Sequence, residues 1–115
     1  MSMSFENVNL DNSELIKNIK FIYAELKKIA KQTGATKIMA LKNHGLFIMW
    51  DTEIRKMYRI KNYANPDDYI EFLKKMKSKF GHLKSPHKET PLVKAIDEYN
   101  YVIADQKRSA RKQKN

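Results

Sequence analysis

The sequence contains no cysteine. That excludes a disulfide framework, thiol catalysis and any zinc site built on thiolates. Glycine and proline are scarce, three of each in 115 residues, which argues against a disordered or low-complexity chain. With only Gly34, Gly45 and Gly81 to draw on, no glycine-rich phosphate loop can be built. No apolar run approaches the roughly 18 residues of a membrane span, and the opening MSMSFENVNL lacks the basic-then-apolar order of a secretion signal. The expected setting is the cytoplasm, a host's if the chain is phage-encoded.

Negative charge is also in short supply. There are 13 Asp and Glu against 23 Lys and Arg, a formal net charge of +10. Such an excess favours a polyanionic partner, because neutralising phosphates releases their counterions. Lys outnumbers Arg by 19 to 4, however, and Lys, Asn and Ile share A/T-rich codons. A biased genome therefore supplies part of this charge without any binding purpose. The hydrophobic fraction of 42% is that of a globular protein, and the length suits one domain with one modest core.

Residues 1–10 read as a flexible lead, 11–104 as a single domain and 105–115 as a basic tail. Asp11, with Glu14 three residues on, has the spacing of a capping box. Leu15, Ile19, Ile22, Leu26 and Ile29 then recur in steps of four and three, a helical stripe that Gly34 is placed to end. From Thr36 to Ile60 the helical period is lost. Three short strands are expected there, Thr36–Leu41, Leu46–Trp50 and Ile54–Ile60, with turns at Lys42–Gly45 and Asp51–Thr52. The run Leu46–Trp50 is apolar throughout, as in a central strand covered on both faces. Asn65-Pro66-Asp67-Asp68 predicts a strong helix start, with Tyr69, Leu73, Met76 and Phe80 as stripe and Gly81 as stop. His82–Glu89 reads as a polar loop. Thr90-Pro91 opens a last helix, striped by Leu92, Ile96, Tyr99 and Ile103, whose periodicity fades past Ala104. The expected fold class is α+β, a three-stranded antiparallel meander packed on helices in the order α-β-β-β-α-α, with no internal repeat.

Two basic groups stand out. Alternation along Ile54–Ile60 puts Arg55, Arg59 and Lys61 on one face of the expected sheet, a geometry able to enter a DNA groove; the bland alternative is a helix covering that face. The tail gathers Lys107, Arg108, Arg111 and Lys112, an arm that follows phosphates or simply a solvated helix end. Together these seven residues are the expected nucleic-acid-binding set. Catalytic signatures are missing: serines sit in no nucleophile-elbow pattern, and Asp51/Glu53 and Asp67/Asp68 look like turn and helix-start chemistry. No metal or other cofactor is expected, and His82 and His87 alone make a poor ligand pair.

Three resemblances are local or architectural. Ile38–Trp50, with Asn43-His44-Gly45 between apolar runs, resembles the segment of class II aldolases whose histidine binds zinc. The further histidines of that family have no counterpart here, which leaves a hairpin turn. The order α-β-β-β-α resembles double-stranded RNA-binding domains, but those open their second helix with lysines where this chain has Asn65-Pro66-Asp67-Asp68-Tyr69. The stretch Ile38–Phe80 is similar in spacing to the strand-and-helix modules of phage integrases and some plant transcription factors.

The expected function is thus a small non-enzymatic protein that binds nucleic acid, DNA ahead of RNA, through phosphate contacts. The alternative is a phage-type accessory protein that modulates a partner protein by meeting an acidic surface. Trp50, Tyr63, Tyr99 and Tyr101 would then be its anchors.

Overall fold

The computed structural model describes residues 3–61, 63–83 and 90–114. Among these residues four helices carry the fold: α1 (Ser13–Lys42), α2 (Thr52–Met57), α3 (Pro66–Phe80) and α4 (Leu92–Lys114). Among the described residues there is no strand. The α+β fold and its three-stranded meander are therefore corrected to an all-helical architecture, and each of the three expected strands fails for its own reason.

The first, Thr36–Leu41, is the second limb of α1. The helix starts at Asn12, not Asp11: the Asn12 side chain accepts from Leu15 N–H at 3.0 Å. At Lys31 the backbone turns to φ 60°, ψ −175° and the helix kinks. Gly34 belongs to this bend, since a Cβ there would lie 2.9 Å from the Ala30 Cβ. Instead of stopping, the chain resumes as helix and buries Ala35, Thr36, Met39 and Ala40, a set at helical spacing.

The second, Leu46–Trp50, is largely buried as expected but has no ladder: Leu46 lies in a turn, and the Leu46 and Phe47 N–H groups donate to the Asn43 carbonyl at 3.1 and 3.2 Å. From Ile48 to Trp50 its polar groups are met by side chains from the helices around it, as a buried backbone requires. The Tyr69 hydroxyl donates to the Ile48 carbonyl at 2.9 Å, Met49 N–H donates to Asp97 at 3.0 Å, and Trp50 N–H donates to Thr36 Oγ1 at 3.1 Å. The Trp50 indole N–H reaches the Gln32 carbonyl at 3.1 Å.

The third, Ile54–Ile60, is mostly helix α2. Asp51 caps it by accepting from Ile54 N–H at 2.8 Å. Ile54 and Tyr58, four apart, suit a helix face as well as a strand face. Past the end of α2, Arg59 takes φ 58°. There Arg59 N–H donates to Lys56 O at 3.1 Å and Ile60 N–H to Arg55 O at 2.9 Å, the two bonds of a Schellman cap with arginine where glycine is usual.

Helix α3 begins as its sequence predicts. Asn65 and Asp68 form a reciprocal capping box, with bonds of 2.8 and 3.1 Å. Its stripe meets an aromatic cluster around Trp50: Tyr23 stacks on Tyr69 at 5.2 Å, and Trp50 lies 5.1 Å from Tyr69 and 5.3 Å from Phe72. The buried stripe of α1 runs through Ile19 and Tyr23, whereas Ile22 and Ile29 are exposed. The lead is packed as well: Phe5, Val8 and Leu10 are buried, and Phe5 N–H donates to Gly45 O at 2.8 Å. Lys77 fixes this segment through the Phe5 and Glu6 carbonyls at 2.7 and 2.6 Å. At the other end, α4 continues as helix to Lys114, through the region expected as a tail. Of the expected loop His82–Glu89, residues 84–89 lie outside the described residues. No helix among the described residues is long and apolar enough to cross a membrane.

Candidate functional site

The expected binding residues divide into three groups. Arg55 is buried. Its guanidinium lies 5.2 Å from the Trp50 ring centroid and bonds the Thr52 and Thr33 hydroxyls at 3.0 and 3.4 Å. Burial lowers its pKa from the usual arginine value, and nearby Tyr23 and Asp51 oppose that shift. This arginine braces the aromatic cluster, so the face proposed for Arg55, Arg59 and Lys61 does not exist as a common surface. Arg59 and Lys61 are exposed, in the segment that leaves α2.

The second group is held by acids. Arg108 pairs with Asp51, the residue that also caps α2. Arg111 pairs with Glu53 at 2.6 Å, and the Glu53 side chain is only 5% exposed. The C-terminal turns of α4 are thus anchored on the acidic start of α2. The positions explain it: Ile96, Asn100 and Ala104 are buried, and Arg108 and Arg111 extend that spacing of about four beyond the apolar stripe. The face of α4 that turns toward the fold becomes cationic where α2 offers carboxylates.

Lys107 and Lys112 form the third group, exposed on α4. Lys107 does not stand alone. It lines a shallow groove of about 310 Å³ between α2 and α4 with Lys56, Arg111, Glu53, Met57 and Ala110. Glu53 is neutralised by Arg111, so Lys56 and Lys107 give the groove two positive charges in excess. Lys56 was absent from the sequence-derived set. Reading Asp51 as a helix cap with Glu53 in the first turn would have found it, because a cation then falls in the last turn of a short helix. Among the described residues neither Lys56 nor Lys107 has a carboxylate within ion-pair distance.

The histidine expected in a hairpin turn, His44, is exposed in the loop after α1. No three potential metal ligands gather among the described residues. A second concave region lies on another side of α4, where Met49, Lys94 and Asp97 are shared by two adjoining hollows. Burial pushes the Asp97 carboxyl up to about 7, the hydrogen bond from Met49 N–H opposes this, and Glu98 adds to it.

No family model, curated protein or solved structure matches this chain.

Proposed function

We propose that this is a non-enzymatic nucleic-acid-binding protein whose phosphate contacts centre on the α2–α4 groove. The observation that carries the reading is the pairing of Lys56 and Lys107 across one groove, beside an Arg111 already held in place by Glu53. Two ammonium groups that line one groove, without a carboxylate partner among the described residues, can take up phosphates, and the net charge of +10 supplies long-range attraction. Arg59, Lys61 and Lys112 are exposed and available to extend the track. Arg55 leaves the binding set, and Arg108 and Arg111 act mainly by fixing α4.

The preference for DNA rested on a sheet face entering a groove, and it falls with the sheet. The backbone polyanion itself, single- or double-stranded, is the proposed ligand. Fluorescence anisotropy with labelled duplex DNA, single-stranded DNA and duplex RNA across a salt series tests this. Phosphate binding predicts an affinity that falls steeply and log-linearly with salt, by a power of about 0.9 per contact on duplex DNA. Equal, weak binding to all three that vanishes by physiological salt would refute it.

A further inference from the structure

Three surfaces outside the basic groove invite a partner. Ile22 and Ile29 are exposed on the first limb of α1, at 41% and 83%, but they lie on a convex helix face with nothing to define an occupant. Lys31 marks a strained bend with no second state in view. The third surface is concave, mostly apolar and rimmed with charge.

It runs between the second limb of α1 and the middle of α4. Two hollows of about 300 and 470 Å³ join over Met49 and Asp97. Leu41 stands at one end, 82% exposed, and Tyr101 and Val102 at the other, 62% and 50% exposed. Met49 is fixed beneath them, since its backbone N–H is held by Asp97. Large apolar side chains exposed beside a concavity mark interaction surfaces, whereas scattered ones do not. Lys37 and Lys94 line this channel and are exposed. Among the described residues neither is paired with a carboxylate. Two acids also line it, half-buried Asp97 in both hollows and exposed Glu98 at the Tyr101 end, so the excess positive charge is at the Lys37 end.

We infer that this channel docks an acidic amphipathic helix of a partner protein, its apolar face over Met49 between Leu41 and Val102, its carboxylates toward Lys37 and Lys94. Charge selects the occupant. A second copy would bring another +10 and another pair of rim lysines against the first, which opposes self-association. A helix fits because helices form both walls, so its apolar residues can seat at successive turns as in other helix-in-groove complexes. At 3.6 residues per turn, Lys94 and Val102 point roughly 100–180° around α4 from Lys107 and Arg111, and Tyr101, about 80° from Arg111, is separated from it by about 15 Å along the helix axis. The two surfaces are therefore independent, and phosphate binding can fail while this docking holds.

The test uses the full chain and a fluorescein-labelled synthetic helical peptide. Leu recurs in it at i, i+3, i+4 and i+7, with Glu on the remaining positions. Two controls accompany it, a scrambled order and a version with Lys in place of every Glu. The acidic peptide is expected to bind at micromolar concentration, more weakly as salt rises, and to shift the amide resonances of Leu41, Met49, Tyr101 and Val102. Leu41→Ser with Val102→Ser, both at exposed positions that leave the core intact, should weaken binding at least tenfold. Lys37→Glu with Lys94→Glu should turn the preference toward the lysine peptide. The inference is overturned if the scrambled or lysine peptide binds the unaltered chain as well as the acidic one, or if the serine pair leaves affinity unchanged. A concentration-dependent dimer in sedimentation, abolished by Leu41→Ser, would overturn it in favour of a second copy.

Discussion

Arg55 and Arg59 are four residues apart, and their environments give them opposite roles. Arg55 packs over Trp50 and is hydrogen-bonded by two threonines, so truncating it removes packing and a cation–π contact from the core. Arg55→Ala should cost about 2 kcal/mol in urea unfolding. Arg59 does the reverse, because its left-handed backbone at φ 58° suits glycine better than arginine. Arg59→Gly should stabilise by about 0.5 kcal/mol, the relief of strain exceeding the chain entropy that glycine adds. A matching cost for both substitutions would contradict this division.

Asp97 is the residue whose titration reaches the fold. Its carboxyl titrates near 3.8 when unperturbed and at about 7 in the folded chain, so the folded state binds the proton more tightly. The stability this contributes is complete below about pH 4 and is lost as pH rises through 7. The groups around it are Glu98, which adds to the shift, the cations Lys37 and Lys94, and the His44 side chain, on the walls of the same channel. Asp97→Asn keeps an acceptor for Met49 N–H and removes the titration. Urea midpoints should fall from pH 5 to pH 8 in the unaltered chain and stay nearly flat in Asp97→Asn. Parallel profiles would show that Asp97 is not the group responsible.

At the scale of the element, the end of α4 is the most exposed claim. The two ion pairs to Asp51 and Glu53 hold Lys107–Lys112 helical before any ligand arrives. Helical Cα shifts are therefore expected for residues 107–112 in the free protein, and Arg108→Ala with Arg111→Ala should fray these turns. The stability lost should exceed the ~1 kcal/mol of a surface pair, because Arg111→Ala leaves the buried Glu53 carboxylate without its partner, whereas the Arg108–Asp51 pair is partly solvated on both sides. Random-coil shifts in the free protein would mean the segment folds only on contact.

Element by element, the sequence was legible where local chemistry and burial agree. Asn65-Pro66-Asp67-Asp68 announces α3 because its cap is closed within four residues. Burial of Leu46–Trp50 was also readable from its unbroken apolar run. Its partners were not, since Tyr69, Asp97 and Thr36 come from distant positions and replace a ladder by side-chain bonds. In Ile54–Ile60 the spacing of four satisfied both periods, and the Asp51 cap that decides the matter was read as a turn. Gly34 signalled a real break, but a kink rather than an end. Of the binding set, exposure of Lys107 and Lys112 was foreseeable from the fading stripe of α4. The burial of Arg55 was not, because it depends on where Trp50 lies.

On the whole-molecule scale, the charge is unevenly used. Among the described residues five cations are paired with acids, Lys20, Lys28, Lys75, Arg108 and Arg111, and Arg55 is buried inside. Others brace the backbone: Lys77 holds the N-terminal segment, and Lys75 also donates to the Tyr58 carbonyl at 2.8 Å. The ion pairs remove equal numbers of cations and acids and leave the net +10 unchanged; within that excess, Arg55 and Lys77 have a structural use. In the α2–α4 groove the two lysines stand on different helices beside a third cation, Arg111, that Glu53 holds in place.

The most direct measurement is the salt dependence of duplex DNA affinity for the unaltered chain and for Lys56→Ala with Lys107→Ala. If both lysines neutralise phosphates in the groove, the double substitution lowers the slope of log affinity against log salt by about two, with the fold unchanged by circular dichroism. An unchanged slope would place the contacts elsewhere and remove the groove from the binding surface.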